Sequence, residues 1–256
     1  MEQIIKIPFI QQKAAPIPLS FFEERTYEKN GFTLPYRFHL PTGYSADKAY
    51  PVILFLHGAG ERGEDNTAQL KIGIGQLFAD PDSPIHQCIV IAPQCPVQLQ
   101  WVSVSSWKDT QYSTEEIPES LPLDTAHALL LDVIKRYAAD TDRIYCTGIS
   151  MGGFGTWDLL VRHTELFAAA IPLCGGADNR FAARLANVPI YTFHGDADDV
   201  VPPEGTQCMT DKLIALGNEK LRVTYYLGGT HGIWENAYAT DGLLEWLLSH
   251  RRSDRA

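Results

Sequence analysis

The sequence predicts an α/β fold in which helices cover both faces of a mostly parallel sheet. Six short, largely apolar runs recur along the chain with helical patterns between them, an alternation typical of crossover units in a parallel sheet. The runs are continuous rather than alternating in polarity, as expected of strands that are buried on both faces. They cover residues 52–57, 88–93, 143–149, 168–173, 189–195 and 222–227.

An antiparallel hairpin is predicted before the first of these runs. Asn30 and Gly31 separate two stretches in which apolar and polar residues alternate, and this dipeptide favours the tight turn of a β-hairpin. We expect the hairpin to extend one edge of the sheet. Residues 1–24 then form an N-terminal extension, and residues 1–256 form a single domain.

The stretch 94–123 is irregular, whereas helical patterns occupy the segments between most of the other runs. It follows the second buried run, and ligands of open α/β sheets bind beyond the carboxyl ends of the strands. A loop of this length in a compact domain is usually functional. We therefore expect an active-site loop at 94–123. Helices are predicted over residues 124–140, 151–163, 204–218 and 235–252.

Composition and charge exclude several classes of protein. The chain of 256 residues is 45% hydrophobic and carries a formal net charge of -10, which argues against a nucleic-acid partner. No apolar run reaches the roughly 18 residues that span a bilayer. Lys6 and Pro8 interrupt the N-terminal apolar patch, so no signal peptide is visible. We expect a cytoplasmic protein, or a secreted one if a signal sequence has been removed.

The cysteines argue against a disulfide framework. There are five, an odd number, and they lie far apart without a C-x-x-C motif. Cys146 and Cys174 lie in apolar runs, so we expect both thiols to be buried. This pattern favours a reducing compartment.

Ser150 is the candidate nucleophile. It lies between a predicted buried strand and a predicted helix, in the pattern G-x-S-x-G that Gly148, Ser150 and Gly152 form. In a nucleophile elbow, a strained turn from strand to helix exposes the hydroxyl, and the closely packed backbone leaves room only for small residues. The alternative is an ordinary tight turn with Ser150 as the helix N-cap. The flanking strand and helix favour the nucleophile.

A serine hydroxyl becomes a good nucleophile when an imidazole accepts its proton and a carboxylate orients the imidazole. His231 is the only histidine in the segment GGTHGIW, which follows the last buried run, and it is the candidate base. The segment HGDADDVVPP, after the fifth run, offers three candidates for the acid. They are Asp196, Asp198 and Asp199.

Three other histidines are predicted to have structural roles. His57 and His194 each end a buried run inside a His-Gly pair, and we expect them to brace the following loops. His250 lies at the end of the last predicted helix, where a histidine interacts favourably with the helix dipole. His231 therefore remains the preferred base.

A tetrahedral intermediate also needs hydrogen-bond donors for its oxyanion. One is expected to be the backbone N–H of Met151, directly after the nucleophile and at the positive end of its helix. The second should come from the loop LHGAGERGEDN after the first buried run, with Ala59 preferred and Gly60 as the alternative. A glycine turn with no role in the reaction is the other interpretation of this loop.

These motifs resemble those of the α/β-hydrolase superfamily. The segments that carry the resemblance are LHGAGERGEDN, APQCP with a following Trp101, YCTGISMGGFGTWDL, FAAAIPLCGG, FHGDADDVVP, THGIWENAY and LLEWLL, which follow one another between Leu56 and Leu248. More narrowly, the chain is similar to bacterial esterases and predicted peptidases related to polyhydroxybutyrate depolymerases and to feruloyl or acetylxylan esterases.

The resemblance implies the α/β-hydrolase fold and a catalytic triad. Aligning the signature H-G-x-x-D-x-x-V-P places the acid at Asp198, with Asp196 as the runner-up, to act with Ser150 and His231. It further implies hydrolysis of carboxylic esters through an acyl-enzyme, without a metal or organic cofactor. The expected substrates are small or carbohydrate-linked esters, such as acetyl and feruloyl esters, and no membrane or nucleic-acid partner is expected.

Five more residues are candidates near the site. Trp101, Trp107 and Trp234 are suited to line an acyl or sugar site, although anchoring of loops explains these aromatic residues equally well. Glu61 and Arg62 lie close to the predicted oxyanion loop. They either pair with each other or contact the substrate.

Other functions are compatible with the same motifs. A serine peptidase uses the same three residues, and it would cleave an amide if the leaving amine is protonated in time. A non-catalytic binding module on this fold would be expected to lose one of the three, and none is missing here. A thioesterase or dienelactone-type hydrolase is disfavoured for two reasons. The nucleophile is a serine rather than a cysteine, and the sequence has no basic patch that could bind a phosphorylated carrier.

Overall fold

Nine strands and six α-helices form the framework of the residues that the computed structural model describes, 3–109 and 112–255. The strands are β1 (Ile4–Pro8), β2 (Glu23–Lys29), β3 (Phe32–His39), β4 (Tyr50–Leu56), β5 (Ile89–Pro93), β6 (Ala139–Ile149), β7 (Ala169–Leu173), β8 (Ile190–Gly195) and β9 (Leu221–Leu227). The helices are α1 (Ile74–Leu77), α2 (Leu121–Arg136), α3 (Met151–Arg162), α4 (Glu204–Ala215), α5 (Trp234–Tyr238) and α6 (Leu243–Ser249).

The strands form one sheet with the order β1-β9-β8-β7-β6-β4-β5-β3-β2. Strands β4 to β9 correspond to the six predicted runs and pair in parallel. Strands β2 and β3 form the predicted hairpin, and β3 joins it to β5 in antiparallel pairing. The turn of the hairpin is made by Asn30 and Gly31, both of which have positive φ. The prediction of a mostly parallel sheet with an N-terminal edge hairpin is confirmed.

Strand β1 lies at the edge of the sheet opposite the hairpin, and the sequence patterns did not predict it. It pairs in parallel with β9, from Ile4 beside Val223 to Pro8 beside Leu227. The strand has only five residues, four of them exposed, so it lacks the continuous apolar run that marks the buried strands. The N-terminal extension therefore connects the two edges of the sheet.

Helices cover both faces of the sheet, as predicted. Alternate residues of β4 point to different layers: Val52, Leu54 and Leu56 join one core, and Ile53 and Phe55 join the other. The first core is completed by α2, α3 and α4, and the second by α1, α5 and α6. Burial on both faces explains why the strand is apolar throughout.

The loop between β5 and α2 contains most of the predicted stretch 94–123. Helix α2 begins at Leu121, slightly earlier than expected, because the Ser120 hydroxyl caps it by accepting a hydrogen bond from the Leu123 N–H. Residues 110–111 of this loop, like residues 1–2 and 256, lie outside the described part of the chain.

Two expectations about the surface and the thiols can be compared with the structure. Among residues 3–109 and 112–255, no helix has both the length and the hydropathy needed to cross a bilayer. Cys146 and Cys174 are buried, as their apolar surroundings in the sequence predict.

Candidate active site

The turn between β6 and α3 has an unusual backbone conformation at Ser150. This residue has φ 54° and ψ -116°, a combination that costs a non-glycine residue free energy and that clusters at functional sites. A Cβ at Gly152 would lie 1.9 Å from the Leu56 carbonyl oxygen, and one at Gly148 would lie 2.4 Å from the Gly152 carbonyl oxygen. Contact between backbones therefore accounts for the glycines on both sides of the serine.

Ser150, His231 and Asp198 form a continuous hydrogen-bonded chain. The Ser150 hydroxyl lies 2.8 Å from His231 Nε2, and His231 Nδ1 lies 2.7 Å from Asp198 Oδ2. Because a carboxylate only accepts hydrogen bonds, Nδ1 carries the proton and Nε2 is left to accept from the hydroxyl. Three residues that are distant in the sequence are thus arranged to pass a proton from the serine to the imidazole.

Asp198 is buried among hydrogen-bond donors. Its Oδ1 accepts from the backbone N–H groups of Val200 and Val201 at 3.0 and 2.9 Å, and its Oδ2 also lies 3.2 Å from His194 Nε2. Burial alone would raise the pKa of this carboxyl, but hydrogen bonds from His194 and His231 outweigh burial and hold the pKa well below its usual value. Asp198 is therefore ionised at neutral pH.

His194 contacts Asp198 as well as the loop that follows it. Its Nε2–H faces the Val201 carbonyl oxygen at 2.9 Å, while its Nδ1 lies 2.8 Å from the Thr206 hydroxyl on α4. The residue was expected only to brace the loop. It also donates toward the carboxylate, a role that no local pattern in the sequence marks.

The other candidate acids, and the histidines His57 and His250, take no part in the hydrogen-bonded series of Ser150, His231 and Asp198. Asp196 is exposed, and its Oδ1 accepts from the Gly228 N–H at 2.6 Å, while Asp199 is also exposed. His57 is buried, with Nδ1 2.6 Å from the Gly58 carbonyl oxygen and Nε2 accepting from the Cys95 N–H at 2.9 Å. His250 caps α6, where Nδ1 lies 2.7 Å from the Trp246 carbonyl oxygen.

The two candidate oxyanion donors each begin a helical turn. Met151 is the first residue of α3, and Ala59 is the first residue of a short 3-10 helix, Ala59–Glu61. N–H groups at the start of a helix have no partner within it. Gly58, Ala59 and Gly60 border the same cleft as Ser150. Both N–H groups are thus suited to receive an oxyanion from a substrate.

A cleft of about 210 Å³ opens beside the serine. Trp107 from the long loop and Trp234 after the histidine form part of its wall, where the sequence predicted them, and the Trp234 ring lies edge-on to His231 with ring centres 4.7 Å apart. Its remaining lining residues are Gly58, Ala59, Gly60, Glu61, Ile72, Ile149, Ser150, Val200 and His231. Aromatic and aliphatic side chains therefore form most of the surface available to a substrate.

The prediction that Trp101 lines the substrate site is not supported. Its side chain is fully buried, and its Nε1–H donates to the His57 carbonyl oxygen at 3.0 Å. A Cβ at Gly155 of α3 would touch it, so the ring packs between that helix and β4. Trp101 belongs to the core that supports the cleft. A tryptophan in a long loop looks the same in the sequence whether it faces inward or outward.

Glu61 and Arg62 do not pair with each other. Arg62 turns away and donates to the carbonyl oxygens of Ala59 and Leu99 at 2.9 and 3.3 Å, whereas Glu61 faces the cleft. Ile72 and Val200, which also line it, were not singled out in the sequence. Ile72 belongs to no motif quoted above, and Val200 occupies a variable position of the signature H-G-x-x-D-x-x-V-P, so only the folded chain reveals that they line the cleft.

Within residues 3–109 and 112–255, two clusters bring together side chains of the kinds that bind metals. Cys174, His194 and Asp198 form the first, but both carboxylate oxygens and both imidazole nitrogens are already engaged in the hydrogen bonds described above. Glu119, His127 and His163 form the second, in which the two imidazole rings are tilted by 31° with centres 3.7 Å apart. His163 Nε2 already lies 3.2 Å from both carboxylate oxygens of Glu119.

Comparison with known proteins identifies a family for this chain. Residues 42–240 match the phospholipase/carboxylesterase family. The chain belongs to this family. Its membership confirms the predicted α/β-hydrolase resemblance, and the family's description names the predicted enzyme class, carboxylic ester hydrolase.

Three similar proteins refine the comparison. A bifunctional acetylxylan esterase/xylanase of Neocallimastix patriciarum is 29% identical over 153 residues, which are 59% of this chain and 20% of that protein. A poly(3-hydroxyoctanoate) depolymerase of Pseudomonas fluorescens is 25% identical over 233 residues, which are 83% of this chain and 78% of that protein. The crystal structure of a thermostable esterase superposes with a TM-score of 0.83 at 36% identity, covering 91% of this chain and 64% of that one. This chain thus spans about a fifth of the first relative.

Proposed function

We propose that the protein hydrolyses small or carbohydrate-linked carboxylic esters through an acyl-enzyme, with Ser150 as nucleophile, His231 as general base and Asp198 as the orienting acid. The observation that carries the proposal is the pair of hydrogen bonds, 2.8 Å from Ser150 to His231 and 2.7 Å from His231 to Asp198. Membership of a carboxylesterase family supports the ester as substrate.

In the first half of the reaction, the Ser150 oxygen attacks the ester carbonyl while His231 Nε2 accepts the hydroxyl proton. The ionised Asp198 carboxylate stabilises the imidazolium, because its Oδ2 accepts a hydrogen bond from His231 Nδ1 at an N···O distance of 2.7 Å. The tetrahedral intermediate collapses when His231 returns the proton to the leaving alcohol. The acyl group then remains on the serine.

In the second half, water attacks the acyl-enzyme, and His231 accepts a proton from it as it did from the serine. Collapse of the second intermediate releases the carboxylic acid and restores the Ser150 hydroxyl. The backbone N–H groups of Met151 and Ala59 are assigned to the oxyanion in both halves, because neither has a partner within its own helical turn.

Two observations support small or carbohydrate-linked esters as the substrates. The cleft of about 210 Å³ offers little room beside Ser150, which favours a short acyl group. An acetylxylan esterase and a polyester depolymerase are among the similar proteins, and both names denote enzymes that cleave esters.

Covalent labelling tests the assignment of the nucleophile. A fluorophosphonate probe should label the wild-type protein once, at Ser150, and a peptide map of the product locates the label. Ser150→Ala should abolish both labelling and the hydrolysis of 4-nitrophenyl acetate, and His231→Ala should slow both by roughly 10³-fold or more. His250→Gln serves as the matched histidine control and should behave as wild type. A folded wild-type protein that takes no label would disprove the proposal and support a binding module.

A further inference from the structure

Glu61 is a buried carboxylate in the wall of the cleft. It closes the short helical turn after β4, its residue surface is 7% exposed, and it borders the same space as Ser150 and His231. Among the described residues that line this cleft, it is the only one with a carboxyl group. The proposed reaction assigns it no role.

No basic side chain neutralises Glu61 within the described ranges 3–109 and 112–255. The neighbouring Arg62 is committed to the carbonyl oxygens of Ala59 and Leu99. The groups that face the carboxylate are the backbone N–H groups of Gly58 and of Glu61 itself, and Lys71 acts only from a distance. Glu61 therefore keeps hydrogen-bond acceptor capacity that the protein does not satisfy.

Burying Glu61 without a counter-charge costs free energy, and this cost appears as a shift in its pKa. Burial raises the pKa of Glu61 above its usual value of 4.5, and the backbone donors oppose this only in part. A buried polar group without a full set of partners is destabilising, and such groups are concentrated at sites that bind ligands. A glutamine or an apolar residue would fill the same space without the penalty.

The surroundings of Glu61 indicate what kind of group would bind it. Ile72, Trp107, Ile149, Val200 and Trp234 supply an apolar wall, in which one acceptor can fix the orientation of a ligand. Two backbone donors already offset part of the negative charge. The carboxylate therefore lacks a neutral donor rather than a full counter-charge, and a hydroxyl group meets that need.

We propose that Glu61 is a specificity-determining residue, which accepts a hydrogen bond from a hydroxyl that the substrate carries a few bonds away from the ester. This inference rests on the proposed function. The hydroxyl belongs either to the alcohol part, as in a monoacylated polyol, or to the acyl part, as in a hydroxyacyl ester. Both sources supply the same chemistry to the carboxylate.

Matched pairs of esters test the inference and distinguish the two sources. The first pair is 2-hydroxyethyl acetate and ethyl acetate, and the second is ethyl 3-hydroxybutyrate and ethyl butyrate. Wild type should show a kcat/KM about tenfold higher for the hydroxylated member of at least one pair, as expected for a hydrogen bond to a charged group. In Glu61→Ala this ratio should fall to about one, and in Glu61→Gln it should fall to an intermediate value.

A control variant and a second measurement keep the outcome clear. Glu64→Gln changes an exposed glutamate in the same loop, and it should keep the wild-type ratio. Fluorophosphonate labelling of Ser150 in each Glu61 variant shows that the site is folded, so a changed ratio is not a loss of structure. Equal rates on both members of both pairs in wild type, or an unchanged ratio in Glu61→Ala, overturn the inference while ester hydrolysis stands. Failure of labelling and of all hydrolysis in wild type overturns the proposed function as well.

Discussion

Two loops of this protein share a short pattern, which occurs a third time at His231, Gly232 and Glu235, and the structure uses the first two differently. His57-Gly58 follows β4 and His194-Gly195 follows β8, and in each case an acidic residue occurs four positions after the histidine. The acids are Glu61 and Asp198, which are 7% and 6% exposed. Burial, spacing and position at the carboxyl end of a parallel strand are thus shared.

The two loops differ in the groups that the histidine side chain contacts. His194 Nε2, whose N–H donates to the Val201 carbonyl oxygen at 2.9 Å, also lies 3.2 Å from Asp198 Oδ2 and helps to lower the pKa of this carboxyl. His57 contacts the Gly58 carbonyl oxygen and the Cys95 N–H, and burial lowers its pKa to about 4, so it stays neutral. It contributes nothing to Glu61.

The two carboxyl groups consequently shift in opposite directions. Hydrogen bonds outweigh burial at Asp198 and lower its pKa, whereas burial dominates at Glu61 and raises its pKa. Burial alone therefore does not decide the direction in which the pKa of a carboxyl group shifts in this protein. The number and direction of the hydrogen-bond donors decide it: Asp198 has enough of them to offset its burial, and Glu61 does not.

The largest expected effect tests the assignment of Asp198. Asp198→Asn removes the charge that stabilises protonated His231 and disturbs its tautomer, so kcat for 4-nitrophenyl acetate should fall on the order of 10⁴-fold. Steady-state kinetics on the folded variant measure the loss. Asp196→Asn is the matched control, since that residue is exposed, and its kcat should remain within about twofold of wild type. A larger loss in the Asp196 variant would reverse the assignment of the acid.

A smaller effect is expected from His194, whose direction distinguishes the two loops. His194→Leu removes one donor from Asp198 but leaves His231 and the backbone N–H groups of Val200 and Val201, so kcat should fall about tenfold. Thr206→Val, which removes the partner of His194 Nδ1 and the hydrogen bond to the Gly175 carbonyl oxygen, should lower kcat by less. If the two variants have equal kcat values, His194 only braces the loop.

The smallest effect is on stability, where the two carboxyl groups should respond to pH with opposite signs. Asp198 has a lowered pKa in the folded state, so the stability that it contributes at neutral pH is lost as the pH falls below its usual value of 3.8. Glu61 has a raised pKa, so the folded state becomes less stable as the pH rises above 4.5 through the folded pKa.

Urea midpoints of the wild type, Asp198→Asn and Glu61→Gln between about pH 3 and pH 8 test this contrast. The deficit of Asp198→Asn relative to wild type should shrink toward acid pH. Glu61→Gln should instead gain on wild type as the pH rises. The same sign of pH dependence in both variants would show that the two loops hold their carboxyl groups alike.

Much of the architecture follows from local sequence patterns. Continuous apolar runs predict β4 to β9, because a strand covered on both faces has no polar side. Asn30 and Gly31 predict the hairpin, since they adopt positive φ with little cost. Gly148 and Gly152 mark the turn at Ser150, because any Cβ there would collide with backbone atoms.

Other features were decided only by tertiary structure. Strand β1 forms because β9 offers it an edge, and its own residues IIKIP lack the continuous buried run of β4 to β8. Trp101 and Trp107 belong to one loop, yet the first is buried in the core and the second lines the cleft. Glu61 and Asp198 share one spacing, but their pKa values shift in opposite directions. Sequence periodicity indicates which face of a helix or strand is buried. The direction of a side chain depends on segments that meet only after folding. The hydrogen-bond donors around a carboxylate depend on them for the same reason.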